Sequence, residues 1–148
     1  MVRAGVYGSS LIGAAWLGVA LAAPPAAAAV EAGRLGIELN KLEEVTGACR
    51  AYLVFENGTD SAFAALKLDL VMFGPNGVIA KRLAVDGAPV PAGKTVVKLF
   101  DIQGLGCADV ARILINDVMS CRDAAGGERS DCITLIEPSS RSDVTIFK

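Results

Sequence analysis

From Leu35 onward the apolar side chains recur at every second position, not at the three-and-four spacing of a helix, in runs that stop at turn residues. That period marks strands with one buried face. In Cys49-Arg-Ala-Tyr-Leu-Val-Phe55 the alternation puts Cys49, Ala51, Leu53 and Phe55 on one side, and the run stops at Asn57-Gly58, a strong turn signal. In Leu66-Lys-Leu-Asp-Leu-Val-Met72 the even-numbered Leu66, Leu68, Leu70 and Met72 are expected inside, with Lys67 and Asp69 in water. Gly74-Pro-Asn-Gly77 then closes a hairpin onto the run from Val78 to Leu83.

The same pattern places a first strand at Leu35–Leu39 and, after the turn Pro91-Ala-Gly93, a β-branched and aromatic strand from Thr95 to Ile102. Ala108-Asp-Val-Ala-Arg112 reads as the start of a helical turn, whereas Arg112-Ile-Leu-Ile-Asn-Asp-Val118 reads as a buried strand. The chain finishes with Ile133-Thr-Leu-Ile136, a Pro-Ser-Ser turn, and Val144-Thr-Ile-Phe147. About seven or eight short strands with turns every 8–12 residues are the signature of an all-β, immunoglobulin-like antiparallel β-sandwich. Beyond Trp16 there is no tryptophan, so the buried tryptophan of antibody domains is missing.

The first thirty residues follow a different pattern. Arg3 is followed by no further charge until Glu31, and the interval is centred on the apolar stretch from Leu11 to Leu21. This is the layout of a secretory signal, with Ala27 and Ala29 satisfying the small-x-small rule for cleavage before Val30. The expected division is a signal peptide over residues 1–29 and one β-sandwich domain over residues 30–148. A cut near Ala23, or retention of the segment as a membrane anchor, is the alternative. No cysteine precedes Cys49 to accept lipid, and no twin arginine is present, so the general secretion route is the simpler expectation.

Cysteine count supports export. All four cysteines, Cys49, Cys107, Cys121 and Cys132, follow the signal, and an even number in an exported chain indicates a disulfide framework. Of three possible pairings the favoured one joins Cys121 to Cys132, which bracket a polar Gly-rich loop between apolar runs, and Cys49 to Cys107. With a formal net charge of -2 and no basic cluster, neither nucleic acid nor, after signal cleavage, a membrane surface is an expected partner.

Candidate chemistry narrows by elimination. The chain has no histidine, which removes Ser-His-Asp and Cys-His nucleophiles and His-ligated metals. No Cys-x-x-Cys pair is present for thiol redox work or close-paired zinc ligation. The carboxylates available for acid–base chemistry are Glu43, Glu44, Asp69, Asp101 and Asp117. Solvated surface accounts for the first four, while Asp117, inside an apolar strand, needs a partner or a strand-end position. Asp123-Ala-Ala-Gly-Gly-Glu128-Arg-Ser-Asp131 has carboxylates enough for calcium but not the EF-hand spacing. Gly104-Leu-Gly106 is only a fragment of a phosphate loop. Asn57-Gly-Thr59 matches a glycosylation acceptor, but an Asn-Gly turn accounts for it. Met72 and Met119 are expected in the core. Catalytic residues, cofactors and metals are therefore not expected.

The runs Cys49 to Gly58, Leu66 to Phe73, Pro91 to Thr95, Val97 to Asp101 and Ile113 to Asp117 resemble a group of small uncharacterised exported bacterial proteins often labelled Tat-pathway signal proteins. More distantly, Leu53-Val-Phe-Glu-Asn-Gly-Thr59 followed by a strand and Gly-Pro-Asn-Gly is similar to FxLYD-type immunoglobulin-like envelope domains. The resemblance implies a sandwich fold and residence in the periplasm or outside the cell. Together these features lead to the expectation of a non-catalytic binding or assembly module that contacts an envelope protein. A small-ligand or metal-ion carrier is the alternative, and a carboxylate-dependent enzyme the third.

Overall fold

A computed structural model of the protein describes Met1, Gly5 and residues 29–148. The signal segment expected over residues 1–29, with its helix, otherwise lies outside the described residues. The domain is a two-layer β-sandwich of eight strands: β1 (Leu35–Val45), β2 (Ala48–Asn57), β3 (Phe63–Phe73), β4 (Ile79–Asp86), β5 (Thr95–Gln103), β6 (Arg112–Asp123), β7 (Ile136–Ser140) and β8 (Thr145–Phe147). The first sheet runs β5-β2-β1-β7 and the second β4-β3-β6-β8. The all-β sandwich expected from the alternation is the fold. Its sheets are mixed, however, because β7 joins β1 and β8 joins β6 in parallel.

The core lies between the two inner faces. Leu35, Ile37, Leu39, Leu53 and Phe55 of the first sheet meet Leu66, Leu68, Leu70, Met72, Ile113 and Ile115 of the second, all nearly inaccessible to water. At 25–30 cal/mol per Å² of apolar surface, such burial is the main force holding the sheets together. Cys49 on β2 is bonded to Cys107 in a short 3-10 turn, and Cys121 on β6 to Cys132 in the helical turn α1 (Cys132–Leu135). This is the favoured pairing.

Four local expectations are corrected. The alternation of β1 breaks at Asn40, but the strand continues: a bulge between Leu39 and Lys41 absorbs one residue, so that Leu42 returns to the core side and Lys41 faces out. Strand β6 contains two such irregularities, at Asn116 and at Met119. Met119 is therefore 57% exposed, whereas Met72 is buried as expected. Residues Cys132–Leu135 are helical, not extended, and the Pro-Ser-Ser segment is itself strand β7. Pro138 is tolerated there because β7 is an edge strand, where a missing N–H leaves no ladder bond unmade.

Strand β2 does stop at Asn57, as the turn signal implies, but the chain then crosses to the other sheet, since β2 and β3 lie in different sheets. Asn57 is 1% exposed, and its amide nitrogen donates to the carbonyls of Ser61, Val90 and Pro91 while its oxygen accepts from the Thr59 amide and hydroxyl. It ties the crossover to the loop before β5. An amide so engaged is not presented for glycosylation.

Candidate interface on the outer face of the first sheet

The carboxylates singled out by sequence are placed as follows. Asp69 does not face water: it is 3% exposed, accepting from Arg82 Nε at 2.8 Å, Arg82 Nη2 at 2.7 Å and Asn116 Nδ2 at 2.6 Å. Those donors, Arg82 first, hold its carboxyl below the usual carboxylate range against the opposing effect of burial. At Asp69 the outer side of central strand β3 is covered by Arg82 of β4 and Asn116 of β6, whereas Lys67 on the same face is exposed as expected. Asp117 stands directly across from Asp69 but is exposed, at the strand irregularity, where its Oδ1 accepts the Val118 N–H at 2.8 Å. No acid–base pair results, since Asp69 is fully used as an ion-pair partner.

In the loop considered for calcium, Asp123 Oδ1 accepts from the Ala125 and Gly127 amides, Glu128 pairs with Arg122 and Asp131 with Arg129. These carboxylates close a turn and two ion pairs. Among the described residues no group of three or more His, Cys, Asp or Glu is arranged to hold a metal ion. Asp101 is bound by Arg50 in a two-pronged pair at 2.6 and 3.0 Å, which lowers its carboxyl from the ordinary value. Glu44 accepts the Cys107 N–H at 2.8 Å.

The feature with the strongest claim to function was not named by sequence. On the outer face of the first sheet the strand register brings Val54 of β2 opposite Val97 of β5, and Tyr52 opposite Leu99. Val97 is 54% and Leu99 49% exposed, on a face that ordinarily carries polar residues. The signal was present: the Val96-Val97 and Leu99-Phe100 pairs make β5 apolar at both parities, so one of its two apolar sets must face out. Ion pairs flank the cluster. Arg50–Asp101 closes one end of the β2–β5 ladder, and beside it Tyr52 donates to Glu43 while Lys41 lies 4.8 Å from the Tyr52 ring centroid. The bond from Tyr52 holds the Glu43 carboxyl below its usual value and raises the tyrosine.

On its other side the cluster runs into a groove of about 480 Å³ over β1, β2 and β7, whose lining includes Val30, Arg34, Glu38, Val54, Glu56 and Glu137. Val54 belongs to both surfaces. An apolar centre containing tyrosine, rimmed by charge, is the composition of a protein-binding surface.

The sheet edges offer less. Lys98 sits on the core side of edge strand β5 opposite Leu53 and sends its ammonium to the Ala88 carbonyl at 2.8 Å, an inward charge that discourages strand addition. Pro138 blunts β7, and β8 is only three residues long. Three of the four edge strands are thus blunted, β4 (Ile79–Asp86) being the fourth.

No protein-family model matches this chain, and no curated protein does. Among solved structures, IrmA from Escherichia coli superposes with a TM-score of 0.55 at 14% identity, over 71% of this chain and 90% of that one. The likeness is one of fold.

Proposed function

We propose that this chain is an exported, non-catalytic binding module of the bacterial envelope that engages an envelope protein through the outer face of its first sheet. The observation that carries the proposal is the pair of exposed residues Val97 and Leu99, set against half-buried Tyr52 and Val54 and flanked by ion pairs. Export is supported by the leader-like first thirty residues and by two disulfides, which are compatible with an oxidising compartment outside the cytoplasm. Among the described residues no helix is long and apolar enough to cross a membrane. The complete absence of histidine and the ion-paired state of Asp69 and Asp101 support a non-catalytic role.

A second reading, carriage of a small ligand, is favoured by one feature, the groove beside the cluster. The two differ in which residues matter. Val97→Lys with Leu99→Lys places charge on the apolar centre and leaves the groove wall of β1 and β7 intact. Affinity purification of tagged chain from crosslinked envelopes is expected to recover one enriched envelope protein with the native face and to lose it with the double variant, the fold being checked by circular dichroism. Equal recovery by both refutes the interface.

A further inference from the structure

Strand β4 closes one side of the second sheet and pairs along its length with β3 alone. One hydrogen bond fixes which of its backbone groups face the open side. Gly87, the residue after β4, donates to the Leu66 carbonyl at 2.8 Å, and in an antiparallel ladder residues that bond the neighbour alternate with residues that do not. Val85 and Leu83 therefore turn their N–H and C=O groups to β3, whereas Arg82, Ala84 and Asp86 turn theirs outward. The same three residues carry exposed side chains on the outer face of the sheet. A row of outward backbone groups is a template for another strand.

That row is self-complementary. An antiparallel pairing of β4 with a second β4 about a two-fold axis at Ala84 sets Arg82 of each copy opposite Asp86 of the other and Leu83 beside Val85 on the core side. The outward N–H groups of Arg82, Ala84 and Asp86 then meet the outward carbonyls of Asp86, Ala84 and Arg82. Asp69 holds Nε and Nη2 of Arg82, which leaves Nη1 on a side chain that is 66% exposed. Asp86 is in no ion pair among the described residues, and its Oδ1 accepts only the Ala88 N–H, at 3.1 Å. Neighbouring registers are worse: an axis at Leu83 sets Lys81 against Val85, and an axis at Arg82 sets the two guanidinium groups against each other. With the axis at Ala84, Lys81 stands opposite Gly87. Val78 and Ile79, 62% and 59% exposed, then come against the segment from Gly87 to Val90 of the second copy, which gives the contact apolar ground to cover.

We propose that the chain forms a two-fold dimer in which the β4 strands of two copies pair antiparallel, joining their second sheets into one continuous sheet. The contact requires neither export nor the outer face of the first sheet, so it stands or falls apart from the binding-module reading. Sedimentation equilibrium of the full chain, expressed in an exporting bacterium and purified as recovered, is expected to show a monomer–dimer equilibrium. Ala84→Pro removes the outward N–H at the axis, a change that an edge strand tolerates, and is expected to leave a monomer with native circular dichroism. Asp86→Arg sets like charges opposite each other and is expected to raise the dissociation constant about tenfold. Ala84→Cys is expected to give a disulfide-linked dimer on mild oxidation, because opposed residues about 5.5 Å apart at Cα lie within disulfide reach. Ala80→Cys, which comes opposite Ala88, is not. A chain that sediments as a monomer at every concentration, a dimer that Ala84→Pro leaves intact, or equal crosslinking from both cysteine positions overturns the inference.

Discussion

Asp69 accepts two hydrogen bonds from Arg82 and one from Asn116, all charge-assisted, and each favours the ionised carboxylate. A carboxyl depressed in the folded state contributes stability above its unfolded pKa, about 3.9, and that contribution is lost as pH falls through the lower folded value. Urea midpoints measured from pH 7 downward are therefore expected to fall below about pH 4, and Asp69→Asn to remove part of that acid slope. The same variant is expected to cost about 1–3 kcal/mol at neutral pH, and an acid limb identical to the native one contradicts the assignment. A second residue-scale prediction concerns Gly87, where an added Cβ would lie 2.7 Å from Phe55 Cε1 in the core. Gly87→Ala is expected to destabilise by about 1–3 kcal/mol in the same assay, because the ring has no room to withdraw. Neither residue was legible from alternation. Period two tells which side of a strand a residue is on, but not that neighbouring arginine and asparagine side chains roof one side, nor that a glycine faces an aromatic ring.

At the scale of elements, strand existence was legible wherever alternation ran unbroken, as in β2 and the first part of β3, and in β5 from its β-branched and aromatic content. It failed at bulges. Asn40 made β1 look as if it ended at Leu39, and the irregularities at Asn116 and Met119 moved Met119 from core to surface. A bulge inverts the parity of everything after it, and the residue that bulges is chosen by pairing across the sheet, which one strand's sequence does not contain. Residues Ile133–Leu135 were misread because so short a run, with Ile133, Leu135 and Ile136 apolar, fits a strand or a helical turn equally well, and the segment tethered by Cys132 to Cys121 takes the turn. The disulfides give an ordered prediction. Cys49–Cys107 spans 58 residues and Cys121–Cys132 spans 11, so chain entropy assigns about 4 kcal/mol to the first and about 3 kcal/mol to the second. Replacing each pair with serine and measuring urea unfolding is expected to show the larger loss for Cys49 and Cys107. The reverse order would place the stabilisation in the native state instead of the unfolded chain.

For the whole molecule, the two sheets and their core follow from the spacing of apolar residues, yet what distinguishes this sandwich is the face that hydrophobic patterning does not require to be apolar. β5 spends one set of apolar residues on the core and the other, Val97 and Leu99, on water, beside Tyr52 and Val54. The sequence carried that surplus, but its meaning depended on β5 pairing with β2, which are separated in the chain by both β3 and β4. An exposed apolar patch that costs solubility is expected to persist where a partner covers it. The most direct measurement is site-specific photo-crosslinking in living cells from a chain carrying a photoreactive residue at Leu99, at Val97, or at Lys67 on the outer face of the second sheet. The interface account predicts one discrete crosslinked envelope protein from Leu99 and Val97 and none from Lys67. Crosslinking from Lys67 alone, or from no position on the first sheet, contradicts it.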